Sequence, residues 1–150
     1  MNFKIISIGK FGKNCPYLTI FERYKKMIPS RVEFIEIKNI NLDIEKKIVF
    51  EKNQIIKNIK DQNEVIVLDG KGKNISSLEL ASLFERKRME RCKEITFVIG
   101  GAYGLDEYFF KSFKSISFGK QTWPHLLIRV MLMEQIYRAL SLINSHPYHK

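Results

Sequence analysis

Apolar residues fill Phe3–Ile8 almost without interruption and stop at Gly9, which predicts a buried strand. Pro16 then opens a segment whose apolar positions (Tyr17, Leu18, Phe21, Tyr24, Met27, Ile28) recur every three or four residues. That spacing predicts an amphipathic helix, and Pro29 stops it. From Val32 to Ile37 apolar and acidic residues alternate, the pattern of a half-exposed strand. Beyond Asn39–Asn41 the charged stretch Asp43–Lys60 keeps Ile44, Ile48, Ile55, Ile56 and Ile59 on one helical face. Glu64–Asp69 reads as the next strand, running into Gly70-Lys-Gly-Lys73. Ser76 and Ser77 ahead of Glu79 resemble a capped helix start, and the helix continues through Leu80, Leu83, Phe84 and Met89. Glu94–Ile99 is a fourth strand ending at Gly100-Gly-Ala-Tyr-Gly104. A short helix near Asp106–Phe113, a brief strand at Ser115–Phe118 and a long helix from about Trp123 to Ile143 complete the chain.

Strands alternating with helices predict an α/β domain with a mainly parallel sheet flanked by helices. The near-continuous apolar runs Val65–Leu68 and Ile95–Ile99 suit parallel strands covered on both faces. There is no repeat, low-complexity stretch or linker, so residues 1–150 are expected to form one domain. The C-terminal helix is apolar around nearly its whole circumference, which calls for burial on most sides. Two arrangements satisfy that demand: a wholly internal helix, or one face on the sheet and another on a second subunit. Arg129, Glu134 and Arg138 need partners in either.

Charge changes the picture. The net charge of +10 fits a phosphate polyanion as partner, although lysines interleaved with acids (Lys46 and Lys47 beside Asp43 and Glu45) also read as solvated helix face. Cys15 and Cys92 lie far apart and outside any Cys-x-x-Cys, so reduced structural thiols are expected. No run approaches the ~18 uninterrupted apolar residues of a membrane span. The N-terminus lacks a signal-peptide pattern, and the expected location is the cytoplasm.

Candidate chemistry gathers beyond the strand ends, where open α/β sheets bind ligands. Three such ends stand out: Leu68-Asp-Gly-Lys-Gly-Lys73, Gly100-Gly-Ala-Tyr-Gly104 and Ser117-Phe-Gly-Lys-Gln-Thr-Trp123. Their glycines allow close backbone approach to a ligand. Gly9-Lys-Phe-Gly12-Lys13-Asn14 is too short for a phosphate loop and lacks its magnesium-binding hydroxyl. Gly100-Gly101-x-x-Gly104 follows the fourth strand and lacks the dinucleotide spacing. No nucleophile elbow, His-Glu-x-x-His or Cys/His ligand set is present, and no metal is expected. All three histidines (His125, His146, His149) and the single tryptophan lie in the C-terminal region. His125 suits a helix cap, and His146 with His149 gives only a weak metal signal.

The motifs Leu68-Asp-x-x-Gly72-Lys73, Ser76-Ser77-x-x-x-Ala81, Phe97-Val-Ile-Gly-Gly-Ala-Tyr-Gly-Leu105, Thr122-x-Pro-His125, Arg129-Val, Glu134-Gln-x-Tyr-Arg-Ala139 and Pro147-Tyr-His-Lys150 occur together and in order. In these the chain closely resembles, over its full length, the ribosomal RNA large subunit methyltransferase H family of the SPOUT (α/β-knot) superfamily. The resemblance implies a deep trefoil knot in the C-terminal half, S-adenosylmethionine as cofactor and a homodimer with composite active sites. It implies methylation at N3 of a pseudouridine in a 23S rRNA stem-loop on assembled ribosomes. Mapped onto matching positions, the cofactor contacts are Leu68, Gly100, Phe118, Gly119, Lys120, Gln121, Thr122 and Trp123. Gly101, Arg138, Tyr148, His149 and Lys150 fall on the substrate side, with Tyr148 and His149 as catalytic candidates supplied by the partner's tail. Gly119 departs from the serine or other small residue common in the family, and Lys150 from arginine, which loses bidentate geometry. A non-catalytic ribosome-binding factor and a tRNA methyltransferase are the competing readings.

Overall fold

The computed structural model describes residues 1–60 and 64–148. Five strands and five helices alternate: β1 (Asn2–Ile8), α1 (Pro16–Met27), β2 (Val32–Ile37), α2 (Ile44–Asn58), β3 (Glu64–Asn74), α3 (Ser77–Met89), β4 (Glu94–Ile99), α4 (Glu107–Ser112), β5 (Lys114–Ser117) and α5 (His125–Ile143). The strands form one parallel sheet in the order β2-β1-β4-β3-β5. The α/β expectation holds.

Handedness explains which face each helix covers. The steps β1 to β2 and β3 to β4 run one way across the sheet, whereas β2 to β3 and β4 to β5 run the other. Right-handed crossovers then place α1 and α3 on one face and α2 and α4 on the other. The two core clusters follow this division. Phe3, Ile5, Ile66 and Phe97 pack with Phe21 of α1, Phe84 of α3 and Met133 of α5, while Ile6, Val67 and Val98 pack with Ile55 of α2 and Phe109 of α4. Because side chains alternate along a strand, one continuous apolar run feeds both clusters.

Local signals set most boundaries. Pro16 occupies the first turn of α1, where its missing N–H costs nothing. Ser76 and Glu79 form a reciprocal capping box at α3. Of the boundaries that differ from those read in the sequence, three bear on the site. The last helix begins at His125, with Pro124 as N-cap and no side-chain cap, so His125 is not a capping residue. β5 begins at Lys114 rather than Ser115.

The third difference matters more. β3 continues through Gly70-Lys-Gly-Lys73 to Asn74, and Ile116 of β5 is paired twice by it, with Leu68 and again with Lys73. Between those pairings Gly72 lies directly against the Ile116 backbone. A Cβ there would stand 2.5 Å from the Ile116 carbonyl carbon and oxygen, so only glycine fits.

Candidate active site

In the sheet, β3 lies between β4 and β5, so the irregular Leu68–Lys71 stretch inside β3, where a strand end was expected, sits between the loops that leave the carboxyl ends of β4 and β5. Together they enclose a cavity of about 410 Å³. Leu68, Gly100, Gly101 and the whole stretch Phe118–Trp123 line it. All eight positions singled out for the cofactor are thus brought to one place, with Gly101 beside them. Asp69, Lys71, Ala102, His125 and Ile128 complete much of the wall.

Short-range bonds fix the loops. The Ser117 hydroxyl donates to the Gly119 carbonyl, and Trp123 Nε1 donates to the Phe118 carbonyl at 3.2 Å, closing the segment on itself. Gly119 has φ of +107°, a conformation that strains any residue with a Cβ. Such a Cβ would also stand 2.8 Å from Gln121 Oε1. The departure to glycine at this position therefore matches the backbone. On the β3 side the Lys71 amide donates to Asp69 Oδ1 at 2.9 Å, a local turn bond.

Beneath the rim, Arg129 of α5 is fully buried. Its Nη2 donates to the Ile8 carbonyl at 2.7 Å, and Nη1 approaches Glu36 Oε1 at 3.4 Å. The guanidinium stands 4.9 Å from the centre of the Phe11 ring. Burial pushes its pKa down to about 10, which leaves it charged at neutral pH. It ties α5 to the ends of β1 and β2. One turn earlier, partial burial and then the Arg129 charge lower the pKa of the His125 imidazole, which lines the cavity.

The other candidates stand elsewhere within the chain. Tyr148 packs edge-on against Tyr137, with ring centres 4.6 Å apart. Its hydroxyl lies 3.2 Å from both Tyr24 Oη and Glu134 Oε1. Arg138 Nε donates to Glu134 at 2.8 Å, and its guanidinium lies 4.9 Å over the Tyr148 ring. Burial, the Tyr24 hydrogen bond and the Glu134 charge push the Tyr148 phenol well above its ordinary pKa. Neither Tyr148 nor Arg138 lines the cavity of its own chain. His149 and Lys150 lie outside the described residues.

A second hollow of about 540 Å³ lies beside the cavity. Ile20, Tyr24, Val130, Met131 and Glu134 line it, and Phe118 and Gly119 form a wall shared with the cavity. Among the described residues no group of three or more His, Cys, Asp or Glu is placed to hold a metal, and no helix is long and apolar enough to cross a membrane.

A family model described as "Predicted SPOUT methyltransferase" matches residues 1–149. The chain belongs to the SPOUT methyltransferase family. It is similar to proteins named ribosomal RNA large subunit methyltransferase H. That of Clostridium botulinum strain Kyoto is 41% identical over 160 residues, with both chains covered in full. That of strain Langeland is also 41% identical at full coverage, and that of Carboxydothermus hydrogenoformans is 36% identical over 159 residues, again covering both chains. The SPOUT chain is thus an α/β methyltransferase, whose family implies a methyl donor.

Three residues at the site were not singled out in the sequence. His125 was read as a cap, yet it lines the cavity; its place directly after Thr122-x-Pro was the available signal. Lys71 was visible only as part of a glycine-rich stretch. Glu51, whose carboxylate approaches Gly101, gives no signal at all, because it is one acid among many charges in α2.

Proposed function

We propose that this SPOUT chain transfers a methyl group from S-adenosylmethionine to N3 of a pseudouridine in a large-subunit rRNA stem-loop, acting on assembled ribosomes as a cytoplasmic homodimer. One observation carries the reading: the irregular Leu68–Lys71 stretch of β3 and the loops that follow β4 and β5 converge on a single cavity that holds every matched cofactor position. Its volume falls within the ~300–1,000 Å³ of small-ligand sites. Main-chain groups of Gly100 and Phe118–Trp123 would bind polar edges, with Leu68 and Ile128 as the apolar sides. When bound, the cofactor supplies an electrophilic methyl group on a sulfonium.

The chain's own contribution is placement. Holding two reactants in line is the main lever for a transfer that needs no covalent enzyme intermediate. Gly101 and Gly104 present a thin wall on which a flipped base can rest. The protonated Tyr148 phenol and the Arg138 guanidinium suit a uracil-type edge as donors. Since they lie away from their own chain's cavity, we assign them to the partner's site. His149 is proposed to take the imino proton, and Lys150 to meet a phosphate. The double pairing of Ile116, with Gly72 pressed against it, is where we place the crossing of the trefoil knot.

Calorimetric titration with S-adenosylmethionine tests the cavity. The expected result is one site per chain. Absence of binding would sink the methyltransferase reading and favour a ribosome-binding factor that keeps only the fold.

A further inference from the structure

Behind the glycine loop stands a carboxyl group that the site above does not use. Glu51 lies on α2, which contributes nothing to the cavity lining. Its side chain is only 3% exposed, on the sheet face where Ile6, Ile8, Ile55 and Val98 form the core. Oε1 has no hydrogen-bond partner among the described residues. Burial pushes its pKa up, against the opposing charge of Lys47 one turn earlier. A buried oxygen left unpaired destabilises the fold, and an aliphatic side chain would avoid that penalty.

Position indicates a use. Oε2 lies 3.6 Å from where a Cβ on Gly101 would stand, and that same Cβ would lie 3.0 Å from Ile8 Cγ2. Gly101 therefore has Glu51 and Ile8 on one side while it lines the cavity. α2 grips the rest of the loop with cations. Lys47 Nζ stands 5.1 Å from the Tyr103 ring centre, and Lys52 pairs with Asp106 at 3.0 Å. The loop itself is closed by the Gly104 amide donating to the Gly101 carbonyl at 3.1 Å. An acceptor with an unused oxygen thus backs a loop whose inner surface forms the cavity wall.

We infer that Glu51 is a positioning residue for the Gly101–Gly104 loop: it accepts a main-chain N–H of that loop when the cavity is filled, fixing the wall against which the RNA base is presented. This rests on the methyltransferase reading of the cavity. Glu51 touches no reactant, so its removal acts on turnover through the loop and leaves the cofactor's own contacts in place.

The test uses the full-length protein with Glu51→Met, which fills the apolar pocket without an acceptor, and Glu51→Gln, which keeps an amide carbonyl able to accept. Glu51→Met is expected to lower turnover on ribosomes about tenfold or more, with the Kd for S-adenosylmethionine within about threefold of wild type. Its thermal midpoint is expected to be equal or higher, since a buried unpaired oxygen is gone. Glu51→Gln is expected to recover most of the turnover. In hydrogen exchange, S-adenosylmethionine slows exchange in peptides spanning 100–106 of the wild type and of Glu51→Gln, but not of Glu51→Met.

Turnover of Glu51→Met close to wild type overturns the inference. So does equal protection of the loop in all three proteins, or a fall in midpoint that accounts for the lost turnover; either makes Glu51 structural only. Failure of the wild type itself to bind S-adenosylmethionine overturns the reading of the cavity and this inference with it. Normal wild-type binding with unaltered variants overturns only the role of Glu51.

Discussion

Gly119 shows how a single backbone angle bears on the cavity. With φ of +107°, it turns the chain between Phe118 and Lys120 where no other residue does so without strain. Gly119→Ala should cost roughly 1–3 kcal/mol in stability. Cofactor affinity should weaken with it, because the added Cβ displaces Gln121; urea denaturation and calorimetry check the two effects. Glu51 gives a second prediction, on pH. Its folded pKa is raised above the ordinary value of 4.5, so the folded state holds this proton more tightly than the unfolded chain does. Stability from that proton is fully present below about pH 4 and is lost as pH rises through the folded pKa. The stability of Glu51→Gln relative to wild type should therefore grow from pH 4 to pH 7, as read from urea midpoints across that range. A constant difference would show that Glu51 keeps its ordinary pKa. The glycines of the cavity were legible because the sequence marks them by type. Glu51 was not, since a buried acid and a solvated one look alike until packing is known.

At the scale of elements, α5 and the tail after it carry the most. Leu126, Leu127, Met131, Leu140 and Leu142 are all only half-buried within one chain, which leaves the apolar circumference of the helix partly unused. The tail folds back so that Tyr148 bridges Tyr24 of α1 and Glu134 of α5. Tyr148→Phe keeps the ring contact with Tyr137 and removes both hydroxyl contacts. It should cost about 0.5–1.5 kcal/mol in stability. Methyl transfer should fall while the cofactor Kd stays at the wild-type value; an equal loss in Kd would place Tyr148 against the cofactor instead. Periodicity of 3.6 announces α1 and α2, and a long apolar stretch announces α5, but nothing in the pattern announces the fold-back of the tail. The extension of β3 through Gly70-Lys-Gly-Lys73 was hidden. Glycine and lysine are poor strand residues, and only the pairing with β5 makes them one.

For the whole molecule, the alternation of strands and helices fixed the layers, and the handedness of crossovers fixed the faces. A threaded chain leaves no periodic trace, so the proposed knot and composite site come from the family resemblance and not from the apolar pattern. The composite arrangement can be tested by mixing two inactive proteins, Gly119→Val with a damaged cavity and Tyr148→Ala with a damaged tail. Heterodimers then contain one site with both components intact, and activity should return on mixing. No recovery, with subunit exchange verified, would place cavity and tail in the same chain. The +10 charge should make ribosome binding fall steeply with salt, as phosphate contacts do.

Transfer of labelled methyl from S-adenosylmethionine to intact ribosomes, free 23S rRNA and tRNA in parallel decides whether and on what the chain acts. Label is expected in large-subunit rRNA from intact ribosomes, at N3 of a pseudouridine, with little in free rRNA or tRNA. Label confined to tRNA, or none in any of the three, would contradict the proposed function.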